Sequence, residues 1–206
     1  LPMILCETLD RELAADGVSF ARIVAAFKDD ARAVLREVLG QLNAYFVARA
    51  QHRPQPIRSL LMDDCVDRGR DFNDGGARYN WSVVNIAGVA NVADSLEALR
   101  RVVFTERAAK PHELRTALAA DFKGWEALRR RLAAAPKFGN GDDGVDALAA
   151  EVADFVYREI RSFPCVRGGK FLPSHIMFET FGRAGRAVGA TPDGRHAGEP
   201  LADSAG

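Results

Sequence analysis

The sequence predicts an α/β fold in which helices wrap a mainly parallel sheet. Three observations carry that expectation. Apolar residues recur every three or four positions through most of the chain, the signature of amphipathic helices. Only two segments, near residues 79–86 and 170–180, gather aromatic and branched residues as strands do. Long helical excursions separate these two, and strands connected that way lie parallel.

The elements follow in order. Phe20, Ile23, Val24, Phe27, Ala31, Val34, Val38, Leu42, Tyr45 and Ala48 form one long apolar stripe. Ser19 is placed to cap its start, and Pro54 and Pro56 stop it. A second helix, Ile57 to about Arg70, is expected to turn Leu60, Leu61 and Val66 inward. Asn73-Asp74-Gly75-Gly76 is a tight turn, because glycine alone adopts positive φ without cost. Tyr79 to Ile86 then alternates as a strand, buried on both faces near its end.

Ala93 to Phe104 returns to helical period, with Leu96, Leu99 and Val103 on one face. Pro111 suits the first turn of a helix over His112 to Phe122, and Trp125 to Ala134 is a further helical segment. The loop Pro136 to Gly144 leads into a helix over Val145 to Arg161, capped by Asp142 or Asp143. Gly168-Gly169 opens a strand over Lys170 to Thr180, and the remainder is Gly/Pro-rich loop. Two strands are too few for a sheet that stands alone, so further strands are expected outside this chain. The organisation expected is one partial domain over 1–206, helical through 1–70 and strand-and-helix through 71–206.

Composition excludes several function classes. The chain has 206 residues, with 28 Lys+Arg balanced by 28 Asp+Glu. A neutral balance gives no electrostatic reason for a nucleic acid or an anionic membrane as partner. Arg129-Arg130-Arg131 follows Glu126 on a helical segment and reads as a solvated face. No apolar run is long enough to span a bilayer, and the first residues lack the pattern of a signal peptide. The 3 cysteines, Cys6, Cys65 and Cys165, are widely spaced, which suits reduced thiols in a cytoplasmic protein. The 4 histidines show no zinc-ligand spacing, and no metal is expected.

Several motifs resolve into ordinary structure when read singly. Gly139-Asn140-Gly141-Asp142-Asp143-Gly144 matches a dinucleotide-binding string, but a helix precedes it and two aspartates would repel pyrophosphate. Cys65 lies among Asp63, Asp64 and Asp67, and carboxylate neighbours do not activate a thiol. His175 and Glu179 would share a strand face and could serve acid–base chemistry, though a structural role is the reading preferred. Thr191-Pro192-Asp193-Gly194 is by itself a turn.

Taken together, in order, five segments carry a resemblance. They are Gly75 to Asn80, Asn91-Val92-Ala93-Asp94-Ser95-Leu96, Pro136-Lys137-Phe138-Gly139-Asn140, Gly168-Gly169-Lys170-Phe171, and Gly189 to Ser204. With them the chain resembles the catalytic domain of the glycyl radical enzymes, the group of pyruvate formate-lyase (formate C-acetyltransferase) and the related radical lyases and dehydratases. The structural motif residues singled out are Gly75, Gly76, Gly168, Gly169, Pro192, Asp193 and Gly194.

The resemblance implies a helix-rich portion of an α/β barrel of about ten strands. It implies anaerobic, cytoplasmic cleavage of a C–C, C–O or C–N bond in a small organic substrate, in a homodimer activated by a separate radical S-adenosylmethionine enzyme. In such enzymes a backbone glycyl radical generates a thiyl radical within a closed cavity that shields it from water. Along the second strand, alternation puts Ile176, Phe178 and Thr180 on one face as candidates to line that cavity. Ile176 falls where dehydratase-like members often carry a tyrosine, which weakens the expectation of a polyol substrate.

The chain departs from the family at two points. It contains no Gly-Cys dipeptide and no Arg-Val-x-Gly-(aromatic) segment, the places of the thiyl cysteine and the radical glycine. No catalytic residue, metal or organic cofactor is therefore expected within it, and the glycyl radical is expected outside it. The missing initiator Met and the abrupt end at Gly206 suggest a piece of a larger enzyme, inactive alone. The alternative is a truncated, non-catalytic paralog that binds a homologous subunit. A stand-alone binding protein is disfavoured by open strand edges.

Overall fold

A computed structural model describes residues 1–175 and 180–202. Its elements in chain order are α1 (Pro2–Glu12), α2 (Phe20–His52), α3 (Pro56–Leu60), a short 3₁₀ turn (Phe72–Asp74), β1 (Ser82–Asn85), α4 (Val89–Leu99), a π-helical turn (Arg100–Thr105), α5 (Pro111–Ala119), α6 (Glu126–Ala133), α7 (Asp143–Ser162), β2 (Phe171–Ser174) and α8 (Thr180–Gly185). They divide into two compact units. The first is Leu1–Ala31, Ile86–Phe155 and His175–Gly206; the second is Arg32–Asn85 and Val156–Ser174.

The first unit is helical around one core. Leu5, Leu9 and Leu13 of the α1 region, Ile23 and Phe27 of α2, and Val92, Leu96 and Leu99 of α4 are almost fully buried. Burying each such side chain contributes about 1.5–3 kcal/mol. From Ala90 to Leu99 every residue of α4 is buried, polar ones included. An all-round buried helix has no single apolar stripe, which is why periodicity alone places its start four residues late, at Ala93 rather than Val89. Its entry is fixed at Gly88, where φ is +78° and a Cβ would lie 2.4 Å from Pro2 Cγ.

The helix ends follow elementary capping. Ser19 Oγ accepts from Arg22 N at 3.2 Å. Asp142 Oδ1 accepts from Gly144 N at 2.9 Å and Val145 N at 3.2 Å, so the Gly139–Gly144 string is a capped turn. Pro111 opens α5, and the Glu113 carboxylate takes Lys110 N at 2.7 Å.

The second unit holds the sheet. β1 and β2 pair in parallel, with Ser82 opposite Phe171 and Asn85 opposite Ser174. Phe171 is fully buried and packs against Phe46 and Phe163 at ring distances of 6.4 and 6.3 Å. Two expectations need correction here. The first strand is shorter than Tyr79–Ile86, and Tyr79, Trp81 and Val83 are exposed, so it is not covered on both faces. The helix expected over Ile57–Arg70 stops at Leu60, because Asp64 and Gly69 take positive φ and turn the chain; Leu60, Leu61 and Val66 are exposed. The long helix expected from Phe20 is α2, and its stripe is buried at Ile23, Phe27 and Ala31 and exposed at Val34, Val38 and Tyr45.

The second strand also ends early, at Ser174. Thr180 does not continue it: it opens α8, whose Phe181 and Ala184, three apart, pack against Val188 and Leu201. Helical packing of that face wins over the strand alternation read from the sequence.

Candidate functional site

In the first unit, polar groups converge on the loop Thr191-Pro192-Asp193-Gly194-Arg195. Asp193 Oδ1 accepts from Thr191 Oγ1 at 2.5 Å and from Arg195 N at 3.2 Å, closing the turn. Its Oδ2 accepts from Asn91 Nδ2 of α4 at 2.8 Å, and Asn91 Oδ1 accepts from Ala202 N at 2.8 Å. Lys137 Nζ donates to the Asp193 carbonyl at 3.1 Å, and Arg129 Nε of α6 to the Gly194 carbonyl at 2.9 Å. Gly194 holds φ +91°, and a Cβ there would meet Ala133 Cβ at 2.7 Å.

Arg195 is 8% exposed, and its guanidinium is spent on the loop itself. Nε donates to Thr191 Oγ1 at 3.2 Å, Nη1 to the Glu199 carbonyl at 2.7 Å, and Nη2 to the carbonyls of Val188 and Gly189. A buried cation satisfied this way rigidifies the loop. Asp94 Oδ1 accepts from Phe138 N at 2.7 Å, which ties α4 to the Lys137 loop. Burial raises the Asp94 carboxyl to about 6, the charge of Asp193 adds to this, and the Phe138 N–H and Lys137 oppose it. This carboxyl can therefore hold or release a proton near neutral pH. Burial likewise pushes up the Cys6 thiol, whose Sγ donates to the Ala190 carbonyl at 3.7 Å, so the thiol form is favoured over the nucleophilic thiolate.

In the second unit, the two glycine pairs are the places where backbone meets backbone. A Cβ on Gly75 would lie 2.6 Å from the Arg167 carbonyl oxygen, and one on Gly76 would lie 2.0 Å from that of Arg70. A Cβ on Gly169 would lie 2.0 Å from the Asn80 carbonyl oxygen. Gly168 has open space but holds φ +83°. Asn80 Nδ2 closes the first turn by donating to the carbonyls of Gly75 at 2.9 Å and Ala77 at 2.7 Å. These contacts deliver β1 and β2 side by side, and Ser82 N donates to the Lys170 carbonyl at 2.9 Å.

The structure thus sorts the five motif segments into two groups. The Asn91–Leu96 and Pro136–Asn140 segments and the described part of the last one, Gly189–Ala202, meet in the first unit, and the Gly75–Asn80 and Gly168–Phe171 segments meet in the second. Of the candidate cavity residues, Thr180 lies exposed at the start of α8, while Ile176 and Phe178 lie outside the described residues, as does Glu179. His175 directly follows β2, with Nδ1 3.3 Å from the Ile86 carbonyl oxygen. Cys65 is a buried core residue. Asn91, Asp94, Lys137 and Arg195 are polar residues that sequence reasoning left without roles. Their signal was present: each lies inside a motif segment. Among the described residues, no group of three His, Cys, Asp or Glu side chains is placed to hold a metal.

A family model described as pyruvate formate lyase-like matches residues 9–181. The chain is 35% identical over 161 residues to a trans-4-hydroxy-L-proline dehydratase of Clostridioides difficile, an alignment covering 75% of this chain and 20% of that protein. It superposes on the glycerol-bound B12-independent glycerol dehydratase of Clostridium butyricum with a TM-score of 0.90 and 34% identity, over 97% of this chain and 27% of that one. With a glycyl radical enzyme of Archaeoglobus fulgidus the TM-score is 0.87 at 28% identity, over 96% of this chain and 27% of that one. The chain spans about a fifth of the length of the hydroxyproline dehydratase it matches. On this combined footing, the chain belongs to the pyruvate formate lyase-like family of glycyl radical enzymes and forms a helix-rich portion of their α/β barrel.

Proposed function

We propose that this chain is the barrel-forming segment of a glycyl radical lyase or dehydratase that cleaves a C–O, C–C or C–N bond of a small organic substrate. Cleavage of a C–O bond with loss of water is the reading the dehydratase relatives favour. The observation that carries it is the superposition of 97% of the chain on a dehydratase, with the motif segments gathered into two compact scaffolds. Ile176, Phe178 and Thr180 are proposed to line the substrate cavity. The apolar side chains of Ile176 and Phe178 favour a substrate with fewer hydroxyls than glycerol.

The segment's own contribution is burial and positioning. Turns that tolerate no Cβ hold the strand pair, and the Asp193 loop holds the helices of the first unit. A radical cavity needs such rigid walls to exclude water. The radical itself and the thiyl cysteine are assigned to other parts of the polypeptide. Partners are a radical S-adenosylmethionine activating enzyme and a second subunit in a homodimer, in an anaerobic cytoplasm.

The test is anaerobic expression of the reading frame containing this segment together with an activating enzyme. Electron paramagnetic resonance should show a glycyl radical doublet, and incubation with small vicinal hydroxy compounds should yield dehydrated product. A folded, intact protein that acquires no radical would refute the enzyme reading and leave the non-catalytic partner.

A further inference from the structure

Arg167, in the second unit, is a guanidinium without a counter-ion among the described residues. Its central carbon sits 5.4 Å from the Phe46 ring centre and 5.1 Å from that of Phe72. Nη2 donates to the Phe72 carbonyl at 3.3 Å. Nε is buried and has no hydrogen-bond partner. Nearby carboxylates are already engaged. Asp71 accepts from Gln55 N, Ser59 Oγ and Asn73 N, and Asp74 pairs with Arg70 at 3.1 Å.

Positive charge gathers around the same place. Arg58 lies 5.0 Å from the Phe72 ring centre, and the charge of Arg49 reaches Arg167. Burial, with Arg49 adding to it, holds the Arg167 pKa below the usual arginine value. Stacking on aromatic faces offsets only part of the cost of removing a cation from water. Beside Arg167 a pocket of about 140 Å³ opens between Phe46, Ala50, Gln51, Asn73 and Val166. Asp74 also lines it, but its charge is offset by Arg70.

We propose that this pocket is a binding site for a small oxyanion, a carboxylate or sulfate, received by the Arg167 guanidinium. The planar fork of an arginine matches such an anion. The rings of Phe46 and Phe72 both lie against that guanidinium. The site is separate from the cavity residues proposed above and does not depend on that assignment.

The experiment is thermal unfolding of the protein expressed from the whole reading frame that contains this segment, in sodium acetate and in sodium sulfate, against sodium chloride of equal ionic strength. Acetate or sulfate should raise the midpoint in a saturable way, by a stabilisation that corresponds to an about elevenfold shift of the folding equilibrium at ten times the dissociation constant. Arg167→Gln should abolish the rise. Because that variant could fold poorly, Ala50→Glu keeps Arg167 and supplies a tethered carboxylate at the pocket wall. It should unfold at a higher temperature without added anion and show at least a tenfold weaker anion response. The proposal is overturned if neither anion raises the midpoint above the chloride control, or if Arg167→Gln responds as the parent chain does.

Discussion

Gly169→Ala is the substitution that most sharply separates steric from conformational demands at the strand pair. The added methyl would lie 2.0 Å from the Asn80 carbonyl oxygen and 2.4 Å from its carbon. Both are backbone atoms next to β1, so no side chain can swing aside. Relief requires the two chains to part by more than an ångström, which disturbs the hydrogen bond from Ser82 N to the Lys170 carbonyl. Overpacking costs about 1–3 kcal/mol, and a rigid backbone neighbour puts this site at the top of that range. Its neighbour is the internal control. At Gly168 nothing lies within 4 Å of a Cβ, and only φ +83° opposes alanine. That conformational cost is about 1–2 kcal/mol. At about 2–4 °C per kcal/mol for a chain of this size, Gly169→Ala should lower the melting midpoint by roughly 6–12 °C and Gly168→Ala by roughly 2–8 °C. Thermal unfolding followed by circular dichroism reads both. If Gly169→Ala melts with the parent chain, or above Gly168→Ala, the close approach of these backbones is wrong.

Asp193→Ala removes the acceptor for Thr191, Arg195 N and Asn91 at once, and should cost about 3 kcal/mol in urea unfolding; a change under a few tenths would show that the loop does not depend on it. Asp94 binds its proton more tightly folded than unfolded, so its contribution is full below the ordinary value of 3.8 and lost as pH rises to about 6. Asp94→Asn keeps an oxygen for Phe138 N and should raise the melting midpoint at pH 7 while flattening that fall; an unchanged pH profile would contradict the assignment. Asp121 runs the other way: the Ala197 N–H first, then the His196 ring, hold its carboxyl below the usual range. Its stabilisation is present above the unfolded carboxylate range and lost on acidification, so Asp121→Asn should lessen acid sensitivity, read as melting midpoint between pH 2 and 5.

What was legible in the sequence divides along physical lines. Local chemistry could be read directly: Ser19 and Asp142 cap, Pro111 starts a helix, and the glycine pairs turn the chain, with no room for a Cβ at Gly75, Gly76 and Gly169 and a positive φ at Gly168. Burial was harder. The stripe through Val34, Val38 and Tyr45 has helical period, but period fixes the secondary structure and not what covers it. Leu60, Leu61 and Val66 misled for the same reason: the chain leaves the helix after Leu60, and all three are exposed. At Thr180 two periods compete, and the helix that packs Phe181 and Ala184 onto Leu201 prevails. The candidate site was half visible. The motif segments named where to look, but the bond between Asn91 and Asp193 joins residues 102 apart, and no local pattern signals a contact so distant.

This chain is proposed to be one part of a working radical enzyme. The most direct measurement is the sequence of the DNA on either side of its coding region. The account predicts one continuous frame, with a Gly-Cys segment upstream and an Arg-Val-x-Gly-(aromatic) segment downstream. Stop codons closing the frame at both ends would contradict it and leave the segment as a non-catalytic partner.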